Sequence, residues 1–403
     1  MNSYHYLLEL AIILFSTKLL GLASRKMKLP QVVGALFAGI IIGPCVLNLV
    51  VESEFITQLS EIGVIILMFI AGMETDINNL KKQGKASFVI AILGVLVPFI
   101  LGFGITYLFA KNGMSDIMTK ELILECTFIG VVLTATSVSI TVETLREMGK
   151  IKSDVGNAIL GAAIIDDILG IVALSVVSSF ADTSVQINTV LLKILLYFII
   201  VGIISVVLYK ILRNWFKNSK NLQRHVIFVL ALCLFLAYIS EVYFGVANIT
   251  GAFITGLIVS AVGYKKEEIM GTVDDVSYAF LSPVFFASIG LKLVLPEMGM
   301  TIILYAVVLS IVAILSKIIG CGLGAKMFKF DTRQSMQIGI GMVSRGEVAL
   351  IVANKGVKLG LMSGAIFAPI LIVVIVTTII SPILLKFAFK ESAQKASLIE
   401  TVS

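Results

Sequence analysis

Apolar windows of about 20 residues, the length a helix needs to cross hydrocarbon, recur along the whole chain. They fall at about 4–22, 29–49, 58–75, 87–110, 121–143, 156–181, 188–211, 223–240, 245–263, 276–295, 300–328, 335–354 and 365–388. In lipid each backbone N–H and C=O must be paired within its own segment or within a closed barrel. Windows of this length therefore predict an all-α membrane protein with thirteen transmembrane helices. Composition agrees: 58% of the 403 residues are hydrophobic and 14% are charged, against about 25% charged in soluble domains.

The basic residues test the count. Connections after odd-numbered windows, together with the segment after the last, hold 22 Lys and Arg, and those after even-numbered windows hold 5. Under the positive-inside rule this places the N-terminus outside and the C-terminus in the cytoplasm. The net charge of +6 thus reads as a topology signal, and no nucleic-acid partner is expected. Residues 4–22 lack a basic leader and a cleavage motif and read as a retained span, and 391–403 as a short cytoplasmic tail with no attached soluble domain. Cys45, Cys126, Cys233 and Cys321 are far apart in apolar segments and predict neither a disulfide framework nor a metal cluster. His5 and His225 flank segment ends, so histidine chemistry is not expected to be central.

An internal echo organises the windows. Gly34-Ala35-Leu36-Phe37-Ala38-Gly39 and Gly251-Ala252-Phe253-Ile254-Thr255-Gly256 share a pattern at an offset of 217 residues, and Phe69–Gly72 is answered by Phe286–Gly290. The copies lie an odd number of crossings apart and so run in opposite directions, the mark of an inverted-topology repeat. The predicted organisation is a first half at 1–181, a linker helix within 182–222, a second half at 223–390 and the tail at 391–403.

Charges inside the windows point to function. Asp166 and Asp167 interrupt "AAIIDDILGIVAL", where an ionised Asp costs about 2.5–3.5 kcal/mol. Adjacent helix positions point about 100° apart, so one carboxylate can meet a protein cation while the other meets water. Lys317 in "AILSKIIG" is the one mid-window lysine, and an ion pair relieves both charges. A carboxylate placed this way can hold H⁺ or, when deprotonated, act as a hard oxygen ligand for Na⁺. Window 5 packs Thr134, Thr136, Ser137, Ser139 and Thr141 into eight residues, which predicts a helix opened at mid-membrane. Window 12, its partner in the repeat, carries Arg345 and Glu347 among Gly339, Gly341 and Gly346. Two broken crossing helices follow. Glu143 is expected to meet Arg345. Asp274 and Asp275 are expected at the N-cap of window 10, and Lys18 and Lys193 are expected to snorkel.

"LPQVVGALFAGIIIGP", "ATSVSIT", "AAIIDDILG", "SPVFFASIGL", Lys317 and "GMVSRGEVALIVA" together resemble the cation:proton antiporter-2 family over nearly the full chain. The resemblance implies a homodimer with a dimerisation domain, a mobile core and elevator-type alternating access. It implies that Asp167 alternates between cation and proton, that Asp166 pairs with Lys317, that Thr136 and its neighbours Thr134 and Ser137 line the unwound helix, and that Arg345, Glu347 and Glu143 form a supporting polar cluster. The paired aspartates resemble electrogenic members. The expected function is a secondary Na⁺/H⁺ antiporter of the cell membrane, with Li⁺ as a further cargo. A K⁺/H⁺ antiporter is the alternative, and a cation channel or a membrane-embedded enzyme is weaker. No cofactor is expected beyond the transported Na⁺ and H⁺.

Overall fold

Helices supply all the regular secondary structure among the described residues. The structure, a computed structural model, describes residues 4–111, 119–181, 186–218, 221–293 and 298–400, and the side chains at 119–121, 181, 347, 364–365 and 391–400 lie outside that description. In chain order the helices are α1 (His5–Lys26), α2 (Gln31–Ile42), α3 (Glu54–Glu74), α4 (Ile77–Phe109), α5 (Thr119–Val132), α6 (Val138–Glu147), α7 (Asp154–Ala181) and α8 (Ile187–Asn218). They continue as α9 (Leu222–Phe244), α10 (Asn248–Val262), α11 (Lys266–Val276), α12 (Ser282–Leu291), α13 (Met300–Met327), α14 (Thr332–Gly341), α15 (Glu347–Lys358) and α16 (Gly364–Glu400). Among the described residues 8 helices are long and apolar enough to cross a membrane, and α2, α10 and Leu122–Val132 of α5 are shorter apolar helices.

Local chemistry explains where helices depart from their windows. Pro30 and the Gly43-Pro44 pair bracket α2, since a proline cannot donate a helix hydrogen bond and restricts the residue before it. Window 10 is entered by the amphipathic α11, which joins α12 through a π-helical turn at Ser277–Leu281. Pro283, in the first turn of α12, lacks the N–H that a regular α ladder would use there, and the wider turn accommodates the loss. Asp274 and Asp275 accordingly lie within α11 and not at a helix start, which corrects the N-cap expectation. Outward faces are apolar: Leu192, Leu195, Ile203 and Val206 on α8 are all more than half exposed, the reverse of a water-facing helix.

Small residues set the interior packing. The first motif glycine of each G-A-x-x-x-G segment packs on the helix before it, Gly34 on Leu20 of α1 and Gly251 on Leu236 of α9. The second packs across the molecule. A Cβ built at Gly39 of α2 would strike the Ala287 carbonyl of α12, and one at Gly256 of α10 would strike the Phe69 carbonyl of α3. Gly290 and Gly72 return the contact, against Leu36 and Phe253. Backbones this close leave no room for a side chain, which is how helices gain dispersion contacts without a hydrophobic driving force. The long α4 packs against both α7 and α13, and this three-helix layer carries the buried Asp166 and Lys317.

Gly256→Leu should therefore destabilise the protein by at least the 1–3 kcal/mol typical of overpacking. Gly104→Ala, where a Cβ meets nothing within 4 Å, should be neutral or stabilising by up to about 1 kcal/mol. Thermal unfolding of the two variants in detergent checks the contrast.

Candidate functional site

Asp166 and Lys317 reach each other across the layer of α4. Lys317 Nζ donates to Asp166 Oδ1 at 2.9 Å, with the two side chains 0% and 1% exposed. Space for the pair comes from Gly94 of α4. A Cβ there would stand 2.5 Å from Cys321 Sγ, 3.7 Å from Lys317 Nζ and 3.9 Å from Asp166 Oδ1. A side chain there would clash first with Cys321 Sγ, which packs beside the pair. Asp167 points to a different sector of α7 and is only half-buried. One carboxylate is therefore sealed against a lysine and its neighbour remains accessible.

Two helix breaks meet beside this layer. Leu133–Ser137 separates α5 from α6, and Met342–Gly346 separates α14 from α15. They are stitched together: Ser137 N–H donates to Ser344 C=O at 2.7 Å, and Thr141 Oγ1 donates to Gly341 C=O at 2.7 Å. A Cβ at Gly346 would lie 2.6 Å from Ser137 Oγ, so only glycine lets the two breaks close on each other. α7 packs on α5, α6 and α14, which puts the aspartates on the helix flanking both breaks.

Arg345 works at the crossing itself. It is 1% exposed, and its Nη1 donates to Ala135 C=O at 2.6 Å and its Nη2 to Ala313 C=O at 3.2 Å. Thr378 Oγ1 donates in turn to the Arg345 carbonyl. Helices α5 and α14 both end at the breaks, and helix C-termini carry about half a negative charge. The guanidinium offsets those ends and satisfies the Ala135 carbonyl, which unwinding leaves without a helix partner, while its bond to Ala313 ties the crossing to the continuous helix α13.

The hydroxyls divide into two kinds. Thr134 Oγ1 donates back to Val131 C=O at 2.7 Å, and Ser137 Oγ and Ser139 Oγ pair at 3.3 Å. Thr136 Oγ1 and Ser344 Oγ are buried and have no hydrogen-bond partner among the described residues. A buried, unpaired hydroxyl carries a desolvation cost of about 1–3 kcal/mol, which a bound cation would relieve. Thr136, Ser344 and the carboxylates of α7 are all hard oxygen donors.

Glu143 lies outside this constellation. It pairs with Arg146, Oε2 to Nη1 at 3.7 Å, and Arg146 also binds Glu74 through Nε at 3.2 Å and Asp274 through Nη2. The expected contact with Arg345 is thus replaced. Arg146 is one helical turn from Glu143, and Arg345 is occupied by carbonyls. Glu347 holds the first position of α15, but its side chain falls outside the described residues.

The profile of the family described as "Sodium/hydrogen exchanger, transmembrane" matches residues 11–391. The chain belongs to that family. Among the relatives of this exchanger, the Na(+)/H(+)-K(+) antiporter GerN of Bacillus cereus is 40% identical over 397 residues, covering 98% of this chain and 99% of GerN. A Na(+)/H(+) antiporter of Enterococcus hirae is 34% identical over 388 residues, 95% of this chain and 97% of that protein. The fold is similar to the solved structure of the sodium proton antiporter MjNhaP1 from Methanocaldococcus jannaschii at pH 8, with a TM-score of 0.70 at 18% identity, covering 96% of this chain and 97% of that one.

Several residues of the exchanger's site carried no signal read from sequence. Gly94 is one glycine in a long apolar helix, and Ser344 and Thr378 gain meaning only from partners 33 or more residues away. Lys317→Met should leave Asp166 as an uncompensated buried charge and destabilise the protein by about 3–5 kcal/mol. The double variant Asp166→Leu/Lys317→Met should recover most of that loss, as read from thermal unfolding of the three proteins side by side.

Proposed function

We propose that this chain is a secondary active antiporter that exchanges Na⁺ for H⁺ across the cell membrane at Asp167. The observation that carries the reading is the division of labour on α7. Asp166 is paired with Lys317 at 2.9 Å, and the half-buried Asp167 beside it offers a carboxylate that an entering ion can occupy. A proton or a metal cation can each do so, and the two exclude one another. Moving an uncompensated carboxylate across hydrocarbon costs several kcal/mol, so the site crosses readily only when loaded. That penalty couples the two fluxes without any further device.

Thr136, with its buried unpaired hydroxyl, is the first further ligand, joined by Ser344 and by carbonyls of the breaks. Thr134 and Ser137, whose hydroxyls already have partners, act as wall. Arg345, with Glu347 beside it in sequence, supports the crossing, and Lys317 holds Asp166 ready to join the ligand set when a cation displaces the ammonium. Direct involvement of Asp166 as a second acid is the basis for an electrogenic exchange and for the Asp-Asp subfamily. A cargo of Li⁺ or K⁺ is the second reading, and the name of the Bacillus cereus relative, which includes K⁺, favours keeping K⁺ in the test.

The finer architecture belongs to the same proposal. Thirteen crossings arranged as inverted halves at 1–181 and 223–390, linked through 182–222, are supported by the reciprocal packing of Gly39 on α12 and Gly256 on α3. The layer α4, α7 and α13 with the two broken helices forms a mobile core. The helices α1–α3 and α9–α12 form the frame of a homodimer, along which the core moves as an elevator. The N-terminus is outside and the C-terminus cytoplasmic, following the Lys and Arg bias of the connections.

The test is ΔpH dequenching in proteoliposomes with Na⁺, Li⁺ and K⁺ in turn. The wild type should exchange Na⁺, with half-saturation rising as pH falls because protons compete for one carboxylate. Asp167→Asn should abolish exchange. Wild-type rates in Asp167→Asn would remove the assignment, and cation flux without proton flux would identify a channel.

A further inference from the structure

A cavity of ≈ 340 Å³ lies where α1, α2 and α12 face α6, and neither Asp166 nor Asp167 lines it. Its wall is apolar at Leu14, Val32, Ala35 and Phe286, and polar at Lys18, Gln31, Glu143 and Glu147. The polar groups there are incompletely matched. Glu143 is 7% exposed and its Oε2 accepts no hydrogen bond. Its ion-pair partner Arg146, at 3.7 Å, is shared with Glu74 and Asp274. Both oxygens of Glu147 lean on the single N–H of Gln31, at 2.9 Å each.

Across the cavity the need is opposite. Lys18 has no ion pair among the described residues and lies 5.5 Å from the centre of the Tyr278 ring. Gln31 Oε1 accepts from Tyr278 Oη at 3.0 Å, which leaves the Gln31 amide N–H groups as donors. Two carboxylates short of donors, a cation short of an anion and an apolar wall thus share one chamber. Lys18 is about 12 Å of helix rise from Lys26, at the charged end of α1.

We propose that this cavity binds one phospholipid with a zwitterionic, primary-amine headgroup of the ethanolamine type. Its ammonium donates to Glu143 and Glu147, its phosphate accepts from Lys18 and Gln31, and its chains lie along Leu14, Val32 and Phe286. A choline headgroup has no N–H to donate, and a glycerol headgroup has no cation, so each leaves the carboxylates unmatched. The lipid would stand between α6, the second half of a broken helix, and the helices α1, α2 and α12, where it tunes how readily the two part.

The test is native mass spectrometry of the full chain, purified and relipidated with ethanolamine, choline or glycerol phospholipids of identical acyl chains. The wild type should retain one ethanolamine lipid per chain with about a tenfold preference over choline, equivalent to roughly 1.4 kcal/mol. Gly21→Leu projects into the cavity, and the nearest atoms to its Cβ are 3.9 Å away, so the variant should fold and lose the retained lipid. Glu147→Gln, on an exposed position, should keep the lipid but lose the preference for ethanolamine over choline. Equal retention of the three lipids by the wild type, or unchanged selectivity in both variants, would overturn the proposal. Retention of a glycerol lipid alone would do the same. Lipid binding is read without any transport, so its failure and that of the exchange activity are separable.

Discussion

A carboxylate in hydrocarbon must find a counter-charge, and in this protein that requirement governs the middle of the molecule. Asp166 meets Lys317 at 2.9 Å with both side chains fully buried. To bring them together, α7 and α13 must both lie on α4, and α4 must present a glycine where they meet. Break the pair and several kcal/mol of uncompensated charge remain. Keep it, and Asp167 remains its half-buried neighbour on the same helix. On the proposed exchange, stability and activity are tied to one contact, and the cost that makes the pair necessary would also oppose the crossing of an empty carrier.

The broken helices apply the same rule to the backbone. Unwinding exposes carbonyls and N–H groups that lipid cannot satisfy, and the structure answers by closing one break on the other. Ser137 N–H reaches Ser344 C=O, Arg345 reaches Ala135 C=O, and Gly346 allows the approach. What stays unpaired there among the described residues is Arg345 Nε and two buried hydroxyls, those of Thr136 and Ser344. Polar groups left unpaired in an otherwise satisfied crossing are the natural place for a transient ion.

Much of this was legible in the chain itself. The windows, the mid-window charges and the glycine-rich interruption at Gly339–Gly346 are local features whose cost in lipid admits few remedies, and a lone mid-window lysine leaves the aspartates little choice of partner. Glu143 and Asp274 were misplaced for a different reason. Near a helix end water and several cations compete, and the winner depends on which helix packs alongside. Arg146 gathers Glu74, Glu143 and Asp274 because α6 packs on α3, an arrangement with no trace in the spacing of those residues.

Sequence by itself determined that the chain is a membrane-spanning helical protein with a small set of costly interior charges, because burial energies of single side chains and single segments are additive enough to read in one dimension. Only the tertiary structure decided which aspartate is sealed and which remains accessible, which glycines admit a neighbouring backbone, and which hydroxyls are left without partners. Those outcomes are set by the relative positions of helices distant in sequence. At van der Waals range a shift of one ångström changes a contact into a clash or a gap.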